Sequence, residues 1–268
     1  MSRDAGKNGW MALVFHTGLV AFIVAPLVVV TLVSFTAKDY LSMPFDGASW
    51  RWFKAVVESP EIADAFWLSI RLGLCAATLA SLLAVPAAIA IARFQFRGRS
   101  TVMAALMSPL MIPHIVMGVA FLRFFSLAGL TGSFPALALT HTAVVIPYAL
   151  RLVLAALTGM DRDAEVAAAS LGASRLTTFR RVLLPQILPG VAGGWMLAFI
   201  QSFDEVTMTI FVATPGTTTL PVAMYNRISQ MTDPLVTAVS TMLIFGTLIA
   251  MLVLDRVVGL DRVLIGKK

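Results

Sequence analysis

Two adjacent carboxylates, Asp204 and Glu205, interrupt a long apolar stretch that begins near Gly190. A charge at the centre of a bilayer costs about 2.5–3.5 kcal/mol on insertion scales, so an acidic pair there indicates a functional site. Neighbouring helix positions point about 100° apart, so at most one of the two side chains faces straight into a polar pathway. A carboxylate in a pathway suits an amine cation, because a desolvated ammonium needs a paired charge. The alternative is an internal ion pair with one of three arginines at membrane depth: Arg71, Arg123 and Arg151.

A second candidate is the long amphipathic segment between residues 158 and 189. An aspartate cap followed by Glu165 in the first turn predicts a helix start, and Gly172 either ends that helix or admits a partner backbone. A second short helix is predicted from Leu176 to Leu183, ending at Pro185. From the residues alone, the segment is either a docking surface for a partner protein or an amphipathic hairpin lying on lipid headgroups.

Composition shows what must position these residues. Of 268 residues, 59% are hydrophobic and 13% are charged, against about 25% charged in an ordinary soluble domain. The mean hydropathy is +0.88. These values argue against a soluble enzyme, a nucleic-acid-binding domain and a disordered protein. The single cysteine, Cys75, excludes a disulfide framework. No metal site is predicted, because His16, His114 and His141 fall on different spans without a second ligand at helical spacing.

Stretches free of charged residues predict six transmembrane helices, because about 20 apolar residues cross a hydrocarbon core of about 30 Å. The first stretch is too long for a cleavable signal sequence, so we expect it to be retained. We therefore predict an all-α membrane protein in which residues 1–268 form a single transmembrane domain, with residues 158–189 as a cytoplasmic loop. The spans are about 11–35, 66–92, 101–122, 135–157, 190–212 and 235–254.

The basic residues predict the orientation, since cytoplasmic loops are enriched in lysine and arginine. With both termini in the cytoplasm, the outside set is only Lys38, Arg51, Lys54 and Arg227. The inside set is Arg3, Lys7, Arg93, Arg97, Arg99, Arg162, Arg175, Arg180, Arg181, Arg256, Arg262, Lys267 and Lys268.

The outer loop, residues 36–64, combines acids with aromatic residues such as Trp52. The aromatic residues are most simply an interfacial belt. The acids are Asp39, Asp46, Glu58, Glu61 and Asp64. We expect the last three to be solvated, with docking of a partner as the alternative.

The predicted cytoplasmic loop, residues 158–189, resembles the "EAA" motif of permease subunits of ATP-binding-cassette importers. In that motif a glycine lies four residues after the second alanine, and an Ile-x-Leu-Pro stretch begins ten residues after the glycine. This chain meets both spacings, with Val166 at the position expected to be acidic and Glu165 one residue earlier. The resemblance leaves open whether Glu165 takes the acidic role. The candidate coupling residues are Glu165, Ala167, Ala168, Gly172, Val182, Leu184 and Pro185.

This resemblance implies the type I importer fold and a non-catalytic transport subunit in a bacterial inner membrane. The loop would dock into a cleft of a separate ATPase, whose closure drives the spans between inward- and outward-open states. The chain has no phosphate-binding loop of the G-x-x-x-x-G-K-[ST] type, so it binds no nucleotide in that way. ATP and magnesium would bind to the partner. The implied partners are a second permease, identical or different, two ATPases and a periplasmic solute-binding protein.

Three further stretches resemble the spermidine/putrescine branch of these permeases. They are the Ser202-Phe-Asp-Glu segment with the following Pro215 to Pro221 loop, Arg93 to Arg99, and Ser108 to His114. The resemblance implies a polyamine or related amine as solute, and His114, where polyamine-specific members tend to have an acid, leaves room for an amine with fewer charges. Opines, aminobutyrate, aminophosphonates, and a sugar or an anion are alternatives, and a secondary transporter is a remote one. The candidate pathway residues are Asp204, Glu205, Ser202, His114 and Trp52.

Overall fold

The computed structural model describes residues 9–45, 47–230 and 233–258. Within these ranges the regular structure is helical, apart from one isolated antiparallel bridge between Thr36 and Ala48. The predicted all-α class is confirmed. The cytoplasmic placement of both termini stays a prediction. Six residues named above lie outside the described residues: Arg3, Lys7, Asp46, Arg262, Lys267 and Lys268.

Five helices of the described chain are long and apolar enough to cross a membrane, and a bent pair of helices makes a sixth span when it is counted as one. The bounds are α1 Gly9–Val33, α2 Arg51–Glu58, α3 Pro60–Arg93, α4 Arg99–Met107, α5 His114–Leu127, α6 Phe134–Thr158, α7 Asp163–Ser170, α8 Arg175–Thr178, α9 Leu184–Phe203, α10 Thr209–Val212, α11 Leu220–Gln230 and α12 Leu235–Val258.

The third predicted span, 101–122, is broken in the structure. A 3₁₀ turn at Ser108–Leu110 follows α4, and α5 begins at His114 at an angle of 101° to the preceding helix. Pro113 explains the break, because proline disfavours the helical conformation of the residue before it and brings no N–H to the helix. Pro113 instead sits at the start of α5, where the missing N–H has no consequence.

The fifth predicted span, 190–212, differs at both ends. The predicted end of the second loop helix at Pro185 is wrong: α8 continues through a π-helical turn, Phe179–Leu183, into α9. Pro185 lies in the first turn of α9, where a proline is tolerated, and the wide π turn takes up the change in hydrogen bonding.

The carboxyl end of this span stops before the acidic pair. The α9 helix ends at Phe203, and a short helix, α10, begins only at Thr209. The prediction that the pair lies inside a helix is therefore wrong. Glu205 supplies the physical reason, because its Oε1 accepts the backbone N–H of Met208 at 2.7 Å and so offers the chain a local alternative to helix continuation.

The described chain divides into two compact units. One comprises the residues up to Ala63 together with Asn226–Val253, and the other contains Asp64–Tyr225. In the second unit, α6 packs against α9 at two glycines. A Cβ at Gly190 would lie 2.9 Å from the Leu152 carbonyl oxygen, and one at Gly194 would lie 3.1 Å from that of Ala149. Small residues four apart permit this close helix approach.

Candidate functional site

The two broken spans meet through a histidine and a glutamate. His114 is the first residue of α5, and its Nδ1 lies 2.7 Å from Oε2 of Glu205, in the break between α9 and α10. The Glu205 side chain is 8% exposed and His114 is 31% exposed. The α10 segment packs closely on α5 here, since a Cβ at Gly118 would lie 3.0 Å from the Met208 carbonyl oxygen. The geometry fixes the Glu205 carboxylate at both oxygens.

Asp204 has a different environment from its neighbour. Its backbone N–H completes the last turn of α9 by bonding to the Ile200 carbonyl, while its side chain is exposed. Within the described chain, neither acid pairs with the three arginines considered as partners, and Arg71 instead donates to the Trp67 carbonyl. The alternative of an internal ion pair with those arginines is therefore replaced by the contact with His114. Of the two carboxylates, Asp204 is the exposed one and Glu205 is the buried one.

Ser202 and Trp52 have contacts of their own. The Ser202 side chain is buried, and its Oγ lies 2.9 Å from Nδ1 of His141 on α6. His141 is hydrogen-bonded, one of the two ordinary roles expected of an isolated helical histidine, although sequence spacing gave no signal for this partner. Trp52 belongs to α2 in the other compact unit, where the Arg51 guanidinium lies 4.5 Å from its ring centre. Its role in a pathway stays a prediction.

One of the outer acids belongs to a charged cluster in the first unit. Glu61 lies 2.7 Å from Arg227, whose other nitrogen lies 3.1 Å from Asp233. Burial disfavours the charged form of Arg227, but the two carboxylates outweigh this effect and raise its pKa. Glu61 is therefore paired although it remains exposed, rather than simply solvated as expected.

The loop helix α7 has the capping predicted from its sequence at one end. It closes in a Schellman motif, in which the Ala173 N–H bonds to the Ala168 carbonyl and the Gly172 N–H bonds to that of Ala169. Gly172 has φ +82°, a left-handed conformation that glycine adopts without steric cost. Ser174 then caps α8 by accepting the Thr177 N–H at 3.2 Å. Two short helices are thus joined by a tight, sequence-encoded turn.

The same loop is attached to the end of α3. Glu165 lies 2.7 Å from the Arg93 guanidinium, an ion pair by distance without a well-aligned hydrogen bond, and the two side chains are 22% and 10% exposed. Arg162 donates to the Arg93 carbonyl at 3.0 Å. Glu165 is therefore engaged within its own chain, and Val166, at the position where the acid was expected, is 61% exposed.

The other residues of the loop differ in their exposure. Leu171 and Leu176 leave apolar surface uncovered on the loop, at 89% and 58% exposure. Exposed apolar surface of this kind contacts either a partner protein or lipid, which are the two alternatives given for the loop. Ala167 and Pro185 are exposed, whereas Ala168, Val182 and Leu184 are partly buried.

Comparisons with known proteins agree on a family. Residues 80–260 match the family model described as "Binding-protein-dependent transport system inner membrane component". The spermidine/putrescine transport system permease protein PotC of Haemophilus influenzae is 32% identical over 258 residues, covering 96% of this chain and 98% of that protein. The putrescine transport system permease protein PotI of Escherichia coli is 29% identical, covering 89% and 86%. The molybdenum transport system permease protein ModB of Mycobacterium bovis is 32% identical, covering 84% of each.

Solved structures share the fold at low sequence identity. A chain from the crystal structure of a bacterial ABC transporter that imports the acidic polysaccharide alginate superimposes with a TM-score of 0.75 at 15% identity, covering 96% of this chain and all of that one. A structure of a bacterial alginate ABC transporter in complex with a pentasaccharide-bound periplasmic protein gives a TM-score of 0.69 at 16% identity, covering 96% and 97%.

Proposed function

Because the chain belongs to the family of binding-protein-dependent transport system inner membrane components, we propose that it forms the translocation pathway for a small amine of the spermidine or putrescine kind. The chain is a permease subunit of a type I ATP-binding-cassette importer, and it spans the membrane several times. The amine and the source of energy are the proposed parts. The relatives named for spermidine and putrescine transport support the choice of solute.

The acidic pair at the break between α9 and α10 is the observation that carries the proposal. Asp204 presents a carboxylate without a side-chain partner among the described residues, beside a Glu205 that is held by His114 and by the Met208 N–H. An ammonium that leaves water needs a negative partner with satisfied geometry. Asp204 supplies that charge, and Glu205 adds negative potential from a fixed position. Broken spans of this kind line binding sites in other transporters.

The loop of α7 and α8 provides the connection to the energy source. We propose that its exposed apolar residues dock on a separate ATPase, which binds ATP and magnesium. Movement of the docked loop passes to α3 through the contact of Glu165 with Arg93. The same movement passes to α9 directly, because α8 and α9 are joined by the π turn. The docked loop would therefore move α3 and α9 together, and such a joint movement is needed to switch between inward- and outward-open states.

The complete importer is proposed to contain four membrane-associated subunits and a receptor. A second permease, identical or different, two ATPases and a periplasmic solute-binding protein complete the assembly in a bacterial inner membrane. A periplasmic protein is part of the complex in one solved alginate transporter.

An oxyanion is the second candidate solute, and one observation favours it. The molybdenum permease relative is as similar in sequence identity as the spermidine/putrescine relative. Against it, an exposed Asp204 beside a second carboxylate repels an anion, because bringing like charges together at a binding interface costs several kcal/mol. Opines, aminobutyrate and aminophosphonates remain amine-bearing alternatives, which the same carboxylate would bind.

Uptake by cells that express this chain with its neighbouring importer subunits tests the proposal. We expect uptake of radiolabelled putrescine or spermidine that is abolished by an inactive ATPase variant. A carboxyl-terminal tag should also recover an ATPase and a second permease with the chain. Uptake of molybdate but not of amines would support the second candidate, and amine uptake that persists without an ATPase would contradict the importer mechanism.

A further inference from the structure

His141 of α6 is 1% exposed and has a contact at each of its ring nitrogens. Its Nδ1 lies 2.9 Å from the Ser202 hydroxyl, in the last turn of α9, and its Nε2 lies 3.0 Å from the Thr209 hydroxyl, at the start of α10. One ring therefore bridges the two ends of the break that holds Asp204 and Glu205. The continuous helix α6 provides the fixed support for this bridge.

The hydrogen bonds of Thr209 show which group is the donor in each contact of His141. Its hydroxyl donates to the Glu205 carbonyl oxygen at 3.0 Å, so the same hydroxyl oxygen accepts a hydrogen bond from His141. Nε2 of His141 therefore carries a hydrogen. The ring is neutral, because burying a cation without an acidic partner is costly, and no acid of the described chain contacts this one. In the neutral ring, Nδ1 accepts from the Ser202 hydroxyl.

The bridge reaches the backbone of the acidic pair itself. Ser202 donates a hydrogen bond to His141, His141 donates to Thr209, and Thr209 donates to the Glu205 carbonyl. Glu205 has two further restraints on its side chain, from His114 and from the Met208 N–H. Backbone and carboxylate of Glu205 are thus held from three different helices.

We propose that His141 is a positioning residue of the solute site, which holds the break between α9 and α10 in the geometry that presents Asp204. A break in a span frees backbone groups, and a site built on such a segment needs a supporting shell to keep its charges in place. The Thr209 side of the bridge is the important one, since only that side is linked to the Glu205 backbone. His141 itself touches no solute.

Two conservative substitutions separate the two sides of the ring. The amide of His141→Gln reaches the position of Nε2 and can still donate to Thr209, whereas the shorter amide of His141→Asn reaches the position of Nδ1 and can keep only the Ser202 contact. His141→Leu removes both contacts. Thr209→Val removes the link to Glu205 with little change of side-chain volume. His16→Leu, at an exposed histidine of α1, is the control for histidine loss.

Hydrogen exchange of residues 204–209 in the purified complex is the first readout, and it does not depend on which solute is transported. We expect exchange about three- to ten-fold faster in His141→Asn, His141→Leu and Thr209→Val, because each loses a hydrogen bond in a membrane interior. We expect exchange near the wild-type rate in His141→Gln and His16→Leu. Equal exchange in the Gln and Asn variants, or exchange unchanged in the Leu variant, would overturn the proposal.

Putrescine uptake provides the second readout, which rests on the proposed function. A displaced carboxylate weakens solute binding, so KM should rise about three- to ten-fold in the Asn variant with the amount of protein in the membrane unchanged. A fall in Vmax with unchanged KM would indicate a merely structural role and contradict the proposal. Absence of amine uptake by the wild-type complex would count against the proposed function alone, because the exchange measurement still decides the role of His141.

Discussion

Glu165 lies 2.7 Å from Arg93, so the first helix of the loop is fixed to the end of a span rather than extended toward solvent. Arg162 adds a hydrogen bond to the Arg93 carbonyl, which makes the attachment two-sided. Glu165, one residue before the motif position expected to be acidic, therefore contacts its own chain in this structure. A force applied to α7 reaches α3 through these two contacts with Arg93.

Removal of either charge should weaken coupling more than assembly. Leaving one partner of a mostly buried pair unsatisfied costs about 1–3 kcal/mol. This is enough for a roughly ten-fold change in the fraction of molecules in which α7 is attached to the end of α3. We expect Glu165→Gln and Arg93→Gln to lower solute uptake per ATP hydrolysed about ten-fold. The measurement is uptake and phosphate release by the same reconstituted complex.

The exchanged pair, Arg93→Glu with Glu165→Arg, should recover part of the lost coupling. Glu58→Gln is a matched control, because Glu58 pairs with Lys54 at 3.7 Å on an exposed helix face and such pairs contribute little. Failure of the exchanged pair to exceed both single variants would show that Glu165 acts on another partner.

Gly172 should be replaceable only by residues that tolerate a left-handed backbone. No atom lies within 4 Å of a Cβ built at this position, so the restriction comes from φ +82° and not from space. A β-branched side chain in this conformation costs about 1–2 kcal/mol or more, whereas asparagine adopts it routinely. We expect Gly172→Val to lose co-purifying ATPase and uptake, and Gly172→Asn to retain most of both. Equal losses would place the effect in a contact with the partner.

The negative charge of Asp204, rather than the size of its side chain, should be needed for amine uptake. Removing one partner from a desolvated charge pair costs about 2–5 kcal/mol, so we expect Asp204→Asn to raise KM for putrescine about 30-fold or more. Asp204→Glu should restore part of the affinity, because it keeps the carboxylate. Uptake kinetics in cells with matched expression check this prediction. A normal KM in Asp204→Asn would remove Asp204 from the pathway.

His114 and Glu205 should contribute to stability as a pair. We expect His114→Ala and Glu205→Ala to lower the thermal unfolding temperature of the purified complex, and the double variant to lose less than the sum. The expected coupling energy is about 0.5–3 kcal/mol, the range for directly contacting residues. Additive losses in the double-mutant cycle would mean that the 2.7 Å contact contributes nothing to stability.

The sequence and the structure agree on the features that apolar length and local caps determine. The α6 helix, Phe134–Thr158, starts and ends within about one residue of its predicted bounds, and the tight turn at Gly172 follows from local residues. The pairing of His114 with Glu205 joins positions 91 residues apart and depends on two breaks meeting in space. Pro113 explains the first break, but a proline alone does not predict one, because α6 continues through Pro147. The second depends on Glu205 bonding to the Met208 N–H, which no spacing rule reveals.

Two glycines of α9, Gly190 and Gly193, should respond differently to the same substitution. A Cβ at Gly190 would lie 2.9 Å from the Leu152 carbonyl oxygen, a backbone atom that cannot turn away, whereas one at Gly193 would meet only the end of the Leu152 side chain at 3.6 Å. Overpacking at a tight interface costs about 1–3 kcal/mol, while alanine for glycine inside a helix gains up to about 1 kcal/mol where space allows.

We therefore expect Gly190→Ala to lower the thermal unfolding temperature of the complex and Gly193→Ala to leave it unchanged or raise it. The helix, the substitution and the membrane depth are nearly the same in both variants, so the difference isolates the approach of α9 to α6. A lower unfolding temperature in both variants would mean that α9 needs flexible glycine at this end, which is next to the π turn. An unchanged temperature in both would mean that the two helices can separate without loss.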